Sequence, residues 1–283
     1  MNVIMTGKFE GIPLKQKIIM GIINLSPETF YKESIAKNPK KTAAKAVEMV
    51  ENGADIIDIG GMATGPDAKL ISMDKERELL KPSVKAVRKK VDAPISIDTQ
   101  RAGIAKEMLD EGADIINDIS GFKADPQIAQ LVSEYECSAI IMANGISGRI
   151  RRAEKKSGDI RTIKDVKKAL KESLDICREN GVKLEKVAID PGIGFGREKE
   201  EDLKIISKLK QLRELNRPIC VGLSRKSFIG KVLDLDNPSE RLIGSLGATA
   251  IALKNEAGII RTHDPKETSQ FIHMMSAIKK ARD

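Results

Sequence analysis

The stretch Glu48-Met-Val-Glu-Asn-Gly-Ala-Asp-Ile-Ile-Asp58 returns 59 residues later as Glu107-Met-Leu-Asp-Glu-Gly-Ala-Asp-Ile-Ile-Asn117. In each copy a helical segment ends at a glycine, and an aliphatic run follows that ends on a polar residue. The offset corresponds to about two βα units of roughly 30 residues each. The repeat therefore predicts consecutive βα units, in which helices connect parallel strands.

Eight such aliphatic runs occur along the chain, and most of them end on a polar or charged residue. A parallel strand that is buried on both faces is a continuous aliphatic run, so these runs predict eight parallel strands. The predicted strands cover residues 18–24, 56–60, 95–98, 115–118, 139–142, 187–190, 219–222 and 259–263.

Segments with a helical period lie between these strands. The predicted helices cover residues 40–52, 74–91, 101–111, 126–135, 162–180, 199–216, 239–255 and 265–282. Glycines are expected to end four of them, at Gly53, Gly112, Gly181 and Gly258.

An open, doubly wound sheet would also alternate strands with helices. It usually has fewer strands and a glycine-rich turn after the first one, where this chain has Asn24-Leu-Ser-Pro. The pattern therefore favours a single (β/α)8 TIM barrel, with residues 1–283 forming one domain.

Composition narrows the function. The chain has 283 residues, of which 41% are hydrophobic and only 3% aromatic, which suits a barrel interior filled by aliphatic side chains. The net charge is +8, but Lys and Arg alternate with Asp and Glu, and no zinc-finger spacing or aromatic stacking motif occurs. Nucleic-acid binding is therefore not expected, and an anionic small-molecule substrate better explains the excess charge.

The cysteines and the apolar runs indicate the compartment. Cys137, Cys177 and Cys220 are far apart and form no C-x-x-C motif, which argues against a disulfide scaffold or a zinc site. The N-terminus lacks a signal-peptide pattern, and no apolar run approaches the roughly 20 residues of a membrane span. We therefore expect a cytoplasmic protein without a membrane partner.

Polar residues at the carboxyl ends of the predicted strands would meet at one rim, where barrels of this kind have their active sites. They are Asn24, Asp98, Asn117, Asp190, Lys226, Arg261 and His263. Asp98, Asn117 and Asp190 can pair with a guanidine-like heterocycle, since two fixed N–H donors against one carboxylate form a bidentate match. Each of the three could alternatively be a helix N-cap, and Asp118 is a candidate for that role.

The loops after the last two strands carry cations. Ser224, Arg225 and Lys226 follow the seventh strand, at the usual phosphate site of such barrels. Arg261 and His263 alternate to the same side of the last strand and would add a second cationic pair. An exposed Arg–Lys pair is the alternative. These loops predict an anion site beside the heterocycle site.

Taken together, the segments resemble the dihydropteroate synthase family over nearly the whole chain. The matching segments are Ile19-Met-Gly-Ile-Ile-Asn-Leu-Ser-Pro-Glu-Thr-Phe30, Gly53-Ala-Asp-Ile-Ile-Asp-Ile-Gly-Gly61, Ile97-Asp-Thr, Ile115-Ile-Asn-Asp-Ile, Asp190-Pro-Gly-Ile-Gly-Phe195, Ser224-Arg-Lys-Ser-Phe-Ile-Gly230 and Arg261-Thr-His-Asp264. The family is a homodimeric TIM barrel that joins 6-hydroxymethyl-7,8-dihydropterin pyrophosphate to an arylamine and releases pyrophosphate with Mg²⁺. The resemblance therefore implies a transferase that forms a carbon–nitrogen bond in folate-type biosynthesis.

The resemblance also implies roles for single residues. The pterin would be bound by Asp98, Asn117, Asp190 and Lys226, with Met142 and Phe195 lining its slot. Asn24 would bind Mg²⁺ and pyrophosphate, and Thr64 would bind substrate from the second loop. The pyrophosphate or the arylamine would be held by Ser224, Arg225, Arg261 and His263. The residues expected to carry catalysis are Asp98, Lys226, Arg261 and His263, by stabilising a pterin cation and the departing pyrophosphate.

Three loops depart from the family pattern. The first, Ser26-Pro-Glu-Thr-Phe-Tyr-Lys-Glu, lacks the usual Asp-Ser and Gly-Gly, and the second has Gly65 in place of an arginine. After the fifth strand, Met142-Ala-Asn-Gly replaces Met-His-Asn-Arg. These loops lie near the arylamine and the pyrophosphate, so we expect the pterin donor to be retained and the acceptor to differ.

The composition, rich in Lys and Ile, looks like that of an archaeal chain, and the family resemblance then implies a role in methanopterin biosynthesis, as in archaeal relatives. The acceptor favoured by the sequence is then 4-(β-D-ribofuranosyl)aminobenzene 5′-phosphate, with 4-aminobenzoate as the alternative. A basic cluster in residues 148–157 would bind the 5′-phosphate; it comprises Arg149, Arg151, Arg152, Lys155 and Lys156. Two other functions stay open: a pterin-binding methyltransferase, which has no pyrophosphate to bind, and a non-catalytic pterin-binding or basic interaction module.

Overall fold

A computed structural model describes residues 8–13, 16–26, 29, 31, 35–36, 38–62, 70–144 and 160–281. The strands are β1 (Lys8–Phe9), β2 (Ile12–Pro13), β3 (Ile18–Asn24), β4 (Ile56–Gly60), β5 (Ile95–Asp98), β6 (Ile115–Asp118), β7 (Ser138–Met142), β8 (Val187–Asp190), β9 (Cys220–Gly222) and β10 (Ile259–Thr262). The α-helices are α1 (Pro39–Glu51), α2 (Met73–Arg88), α3 (Ala102–Asp110), α4 (Gln127–Glu134), α5 (Ile163–Glu179), α6 (Lys199–Ser207), α7 (Ser227–Leu233), α8 (Leu242–Lys254) and α9 (Pro265–Lys280).

Strands β3 to β10 form one parallel sheet in the order β8-β7-β6-β5-β4-β3-β10-β9. The two ends of this order also meet. Ile189 of β8 forms a bridge with Ile219, and its amide donates to the carbonyl of Pro218 at 2.8 Å. The sheet is therefore a nearly closed barrel, and the helices between its strands make it the predicted (β/α)8 TIM barrel.

The aliphatic core is divided by the alternation of side chains along each strand. The cluster inside the barrel comprises Phe9, Ile18, Met20, Ile56, Ile115, Ile140, Ala188, Cys220 and Ile259. Their neighbours along the strands, such as Ile19, Ile57 and Ile116, belong to the larger cluster between the sheet and the helices. Both faces of the strands are buried, which explains why each strand is an aliphatic run.

An antiparallel hairpin of β1 and β2 precedes the barrel, and the sequence did not predict it. Its turn residues Glu10 and Gly11 have φ angles of 47° and 75°, as two-residue hairpin turns require. Phe9 is buried in the interior cluster, against the first residues of several strands. The hairpin thus covers the amino-terminal end of the barrel, opposite the polar strand ends.

The repeated Gly-Ala-Asp segment connects neighbouring strands. Asp55 Oδ2 accepts a hydrogen bond from the amide of Ile19 at 2.8 Å, and Asp114 Oδ2 accepts one from the amide of Ile95 at 2.7 Å. In both copies, the aspartate before one strand therefore binds the beginning of the preceding barrel strand.

Two helix predictions need correction, and one helix was not predicted. The predicted helix over 199–216 divides into α6 and a 3-10 helix, Leu209–Leu215, in which Leu209 and Leu212 are fully buried at the three-residue period of that helix. The predicted helix over 239–255 begins as a 3-10 turn, Pro238–Arg241. Helix α7 was missed because seven residues are too few to show a helical period.

Three of the four glycines that were predicted to end a helix do so. Gly53, Gly112 and Gly181 have positive φ angles just after α1, α3 and α5. After α8, however, Glu256 has the positive φ angle, 74°. Gly258 already belongs to the barrel wall, since its amide donates to Ile219 and its carbonyl accepts from Ile18.

No helix in the described part of the chain is long and apolar enough to cross a membrane.

Candidate active site

Polar side chains from adjacent strands form a row across the carboxyl end of the barrel. The register pairs Asn24 with Gly60, Gly60 with Asp98, and Asp98 with Asn117. Residues paired across parallel strands point to the same face, so all four face the barrel interior. A Cβ at Gly60 would lie 3.6 Å from Asp98 Cβ and 3.9 Å from Asn24 Oδ1, so the glycine leaves space between these two side chains.

Two buried carboxyl groups lie along this rim. Burial raises the pKa of Asp98 to about 7, although the charge of Arg261 opposes the shift. Burial also raises the pKa of Asp190, whose Oδ1 accepts a hydrogen bond from the amide of Gly192 at 2.6 Å. Asn117 is 5% exposed, and its side-chain amide forms no hydrogen bond with another described residue. The rim therefore holds acceptors that a ligand with N–H groups can use.

Asp98, Asn117 and Asp190 do not occupy the N-cap positions of the helices that follow them. The N-cap positions of α3 and α4 are Arg101 and Pro126, and neither makes a side-chain capping bond. Asp118, the other candidate cap, binds the amides of Ser120 and Phe122 and so stabilises the turn after β6.

Lys226 lies against the loop that follows Asp190. Its ammonium group donates to the carbonyl of Ile193 and lies 4.4 Å from the centroid of the Phe195 ring. Gly194, with a φ angle of 78°, leaves room for the lysine stem, since a Cβ there would lie 2.6 Å from Lys226 Cδ. Burial lowers the pKa of Lys226 to about 8, with the charge of Asp190 opposing the shift.

Met142 lies on the other side of the same loop. It is buried, and a Cβ at Gly192 would lie 3.2 Å from its Cγ atom. Met142 also pairs in register with Asp190. Of the predicted slot residues, Met142 therefore lies beside Asp190, and Phe195 lies against Lys226 in the loop that follows Asp190.

Arg261 bridges two carboxylates. Its Nε donates to Asp58 Oδ2 at 2.6 Å, and its Nη2 donates to Asp98 Oδ2 at 2.9 Å. The sequence did not single out Asp58, because this residue lies inside β4 rather than at its end. The available signal was the two-residue alternation, which puts Asp58 on the same face as Gly60.

Ser224 and His263 form a hydrogen-bonded pair. The Ser224 hydroxyl lies 2.9 Å from Nδ1 of His263 and 3.4 Å from Asp264 Oδ2. Burial, and then the charges of Arg261 and Arg225, lower the pKa of His263 well below its ordinary value. The ring is therefore neutral near neutral pH. The Ser224 hydroxyl has one proton, which it donates either to Nδ1 or to Asp264 Oδ2, and the ring tautomer follows from that choice.

Arg225 is not an open anion-binding residue in this structure. It is 5% exposed, and its guanidinium binds Asp264 through Nε at 2.9 Å and through Nη2 at 2.6 Å. Its Nη1 donates to the carbonyls of Pro238 and Ser239. The geometry favours support of the loop over contact with substrate, and the alternative of an exposed Arg–Lys pair is wrong.

Tyr31, which the sequence did not single out, covers this cluster. Its ring lies 4.6 Å from the Arg225 guanidinium carbon and meets the His263 ring edge to face at 5.2 Å. It belongs to the first loop, where the chain departs from the family pattern.

A buried ion pair of Arg197 and Asp202, also missed, lies beneath the loop after β8. Arg197 donates to the carbonyls of Ile160, Pro191 and Gly192, and its Nη1 lies 3.3 Å from Asp202 Oδ1. Asp202 Oδ2 in turn accepts a hydrogen bond from the amide of Gly194 at 3.0 Å.

Some predicted residues lie outside the described residues, namely Thr64 and the basic cluster of residues 148–157. Within the described ranges, no group of three or more His, Cys, Asp or Glu side chains is arranged to hold a metal ion. Mg²⁺ usually takes one or two protein oxygens and completes its shell with phosphate oxygens and water. The Asn24 amide oxygen at the rim fits that limited role.

The comparisons with known proteins agree with this geometry. Residues 20–263 match the family model described as "Pterin binding enzyme". A dihydropteroate synthase of Clostridium beijerinckii is 37% identical over 262 residues, which cover 92% of this chain and 93% of the relative.

Two solved structures of dihydropteroate synthases are also similar. The Coxiella burnetii enzyme in complex with pteroic acid has a TM-score of 0.82 and 32% identity over 94% of each chain. The Xanthomonas albilineans enzyme with 4-aminobenzoic acid has a TM-score of 0.84 and 25% identity over 95% of this chain and 96% of that one. The chain therefore belongs to the pterin-binding enzyme family and is a transferase of the dihydropteroate synthase type, which forms a carbon–nitrogen bond.

Proposed function

We propose that this enzyme condenses 6-hydroxymethyl-7,8-dihydropterin pyrophosphate with an arylamine and releases pyrophosphate. The observation that carries the proposal is the rim itself. Asp98, Asn117 and Asp190 offer hydrogen-bond acceptors beside the cations Lys226 and Arg261. A pterin presents N–H donors at one edge, and a pyrophosphate ester presents an anion. The rim has matching groups for both.

The proposed reaction begins with cleavage of the carbon–oxygen bond of the pyrophosphate ester. Buried carboxylates at Asp98 and Asp190 stabilise the positive charge that develops on the pterin, since fixed charges act strongly away from water. Lys226, Arg261 and the neutral His263 ring stabilise the negative charge on the leaving group. The arylamine nitrogen then bonds to the pterin methylene carbon, and its lost proton leaves with pyrophosphate or solvent.

Mg²⁺ is part of the proposal, with Asn24 as the protein ligand. The ion would neutralise charge on the pyrophosphate. Because the described chain offers so few metal ligands, the ion is expected to bind together with the substrate rather than to the free protein.

The acceptor we propose is 4-aminobenzoate, because the relatives are dihydropteroate synthases and the Xanthomonas albilineans structure contains 4-aminobenzoic acid. The ribosylated 5′-phosphate acceptor favoured by the altered loops stays a prediction. The basic cluster predicted to bind its 5′-phosphate, residues 148–157, lies outside the described residues.

One assay tests the reaction and the acceptor together. Pyrophosphate release from the pterin ester is measured with each arylamine in turn, with and without a chelator. We expect release that depends on the arylamine and stops when Mg²⁺ is removed. A methyltransferase or a binding module would release no pyrophosphate. If the phosphorylated arylamine is preferred, Arg151→Ala plus Arg152→Ala should raise its KM selectively.

We also propose that the enzyme is a homodimer that works in the cytoplasm. Helices α6, α7 and α8 lie side by side and expose apolar side chains: Leu203, Val232, Leu233, Ile243 and Ile251. A second copy of the chain is the occupant that the family resemblance implies for such a surface.

A further inference from the structure

Asp58 is a fully buried carboxylate in β4, with 0% of its surface exposed. Its Oδ2 atom accepts the 2.6 Å hydrogen bond from Arg261 Nε, whereas Oδ1 has no partner in the part of the chain that the structure describes. Ser96, its register neighbour on β5, has an equally unpartnered hydroxyl. Arg261 is thus the one ion-pair partner found for Asp58 among the described residues.

Stability alone does not explain this carboxylate. The free-energy cost of moving two charges out of water offsets much of the stabilisation from their attraction. Apolar side chains of similar size therefore often stabilise a core equally well. The interior cluster directly beneath is aliphatic and includes Met20, Ile56, Ile115 and Ile259. An aliphatic residue at position 58 would extend that cluster. Asp58 is better explained by its effect on Arg261.

The two carboxylates that hold Arg261 differ in their access to a ligand. Asp98 is at the end of β5, whereas Asp58 lies two residues before the end of β4 and is therefore deeper in the barrel. Their side chains are 11% and 0% exposed. A pterin that binds Asp98 through Oδ2 displaces or weakens the hydrogen bond from Arg261 Nη2 to that oxygen. It cannot reach the contact between Asp58 and Nε.

We propose that Asp58 is a positioning residue that keeps the Arg261 guanidinium in place when the pterin takes over Asp98. The remaining N–H groups of Arg261 then stay directed to the departing pyrophosphate. Nη1 fits this use, because it has no hydrogen-bond partner among the described residues. The inference rests on the proposed function, since it concerns the same site and the same leaving group.

A double-mutant cycle tests the coupling of the two residues. Asp58→Asn keeps the size of the side chain but removes its charge, and we expect kcat/KM for the pterin ester to fall about tenfold, the usual effect of losing one charge-assisted hydrogen bond. In an Arg261→Gln background, the same change should cost less than about twofold, because the residue through which Asp58 acts is already gone.

Asp118→Asn is the matched control, because Asp118 is an equally buried aspartate that makes no contact with Arg261. Its effect should be the same in both backgrounds. The proposal is overturned if Asp58→Asn leaves turnover unchanged, or if it causes the same loss with and without Arg261. Calorimetric binding of unphosphorylated dihydropterin verifies that each variant retains a folded pocket.

The cycle is repeated with Mg²⁺–pyrophosphate binding as the readout, which requires no turnover. Failure of the proposed reaction would appear as a wild-type enzyme that forms no product. Failure of the present inference would appear as additive losses of pyrophosphate affinity in the two backgrounds. The two results are therefore distinguishable.

Discussion

At the scale of single residues, the charge of Asp98 controls how well the rim accepts N–H donors. Burial raises the pKa of its carboxyl group to about 7, so that protonated and ionised forms coexist near neutral pH. Only the ionised form presents two acceptor oxygens. Pterin binding should therefore depend on pH in a range where free pterin and most side chains do not titrate.

The first prediction concerns this dependence. Affinity for 6-hydroxymethyl-7,8-dihydropterin should increase as the pH rises through about 7, because the ionised fraction of Asp98 increases. Calorimetric titrations on both sides of that pH measure it. Asp98→Asn should bind more weakly and lose most of the pH dependence. An unchanged profile in this variant would assign the titration to another group.

A second prediction concerns Lys226, whose pKa is lowered by burial to about 8. As the pH rises through that value, the ammonium loses its proton and its charge, so kcat/KM for the pterin ester should fall. Lys226→Arg keeps the charge at all accessible pH values. The arginine variant should be less active, because its geometry differs, but its pH profile should lack the alkaline decline. Persistence of that decline would exclude Lys226 as its cause.

Residues at strand ends were predictable from the sequence, and residues that support them were not. Asp98, Asn117 and Asp190 follow aliphatic runs in a simple pattern, and the structure places them on one rim. Asp58, Tyr31 and the Arg197–Asp202 pair act through contacts between residues that are distant in sequence or lie inside an element. Arg225 shows another limit of the sequence: its context predicts a ligand for anions, and its partner Asp264 becomes visible only in the fold.

At the scale of elements, the barrel strands were predicted almost to the residue because burial on both faces leaves a continuous aliphatic run. Only β7, β9 and β10 differ, each by one residue at one end. The hairpin of β1 and β2 was missed because two-residue strands show no period. Its Glu10-Gly11 turn, between Phe9 and Ile12, was the available signal.

The loop after β8 is held from below by the Arg197–Asp202 pair. Arg197 connects this loop to the carbonyl of Ile160, and Asp202 binds the amide of Gly194. Gly194 and Phe195 in turn pack against Lys226. The placement of Phe195 and Lys226, which belong to the proposed pterin site, therefore depends on an ion pair that is expected to have no contact with substrate.

The third prediction tests this dependence. Arg197→Met leaves Asp202 buried and unpaired, which should lower the free energy of unfolding by about 3–5 kcal/mol, the usual cost of breaking a buried pair. Arg197→Met plus Asp202→Asn should be less destabilised than the single variant, because no unpaired charge remains. Urea unfolding measures both variants. If the double variant is the less stable one, the pair is not the source of the loss.

At the scale of the whole molecule, α8 exposes two of its large apolar side chains. Its buried residues are Ser245, Thr249 and Ala252, whereas Ile243 is 77% exposed and Ile251 is also exposed. A sequence reader would assign the isoleucines to the core. Their exposure follows only from how the helix packs against the barrel, which is why the sequence could not show this apolar surface.

The last prediction concerns this surface. Exposed apolar side chains on adjacent helices commonly mark a protein–protein interface, and a charge placed in its centre prevents association. Ile243→Glu should therefore convert the proposed dimer, of twice the 31.0 kDa chain mass, into a monomer. Sedimentation or light scattering measures the mass. Met274→Glu is the matched control, since Met274 is an apolar residue on α9 that is 62% exposed. A wild-type chain that is monomeric, or a dimer that Ile243→Glu leaves intact, would show that α8 is not the interface.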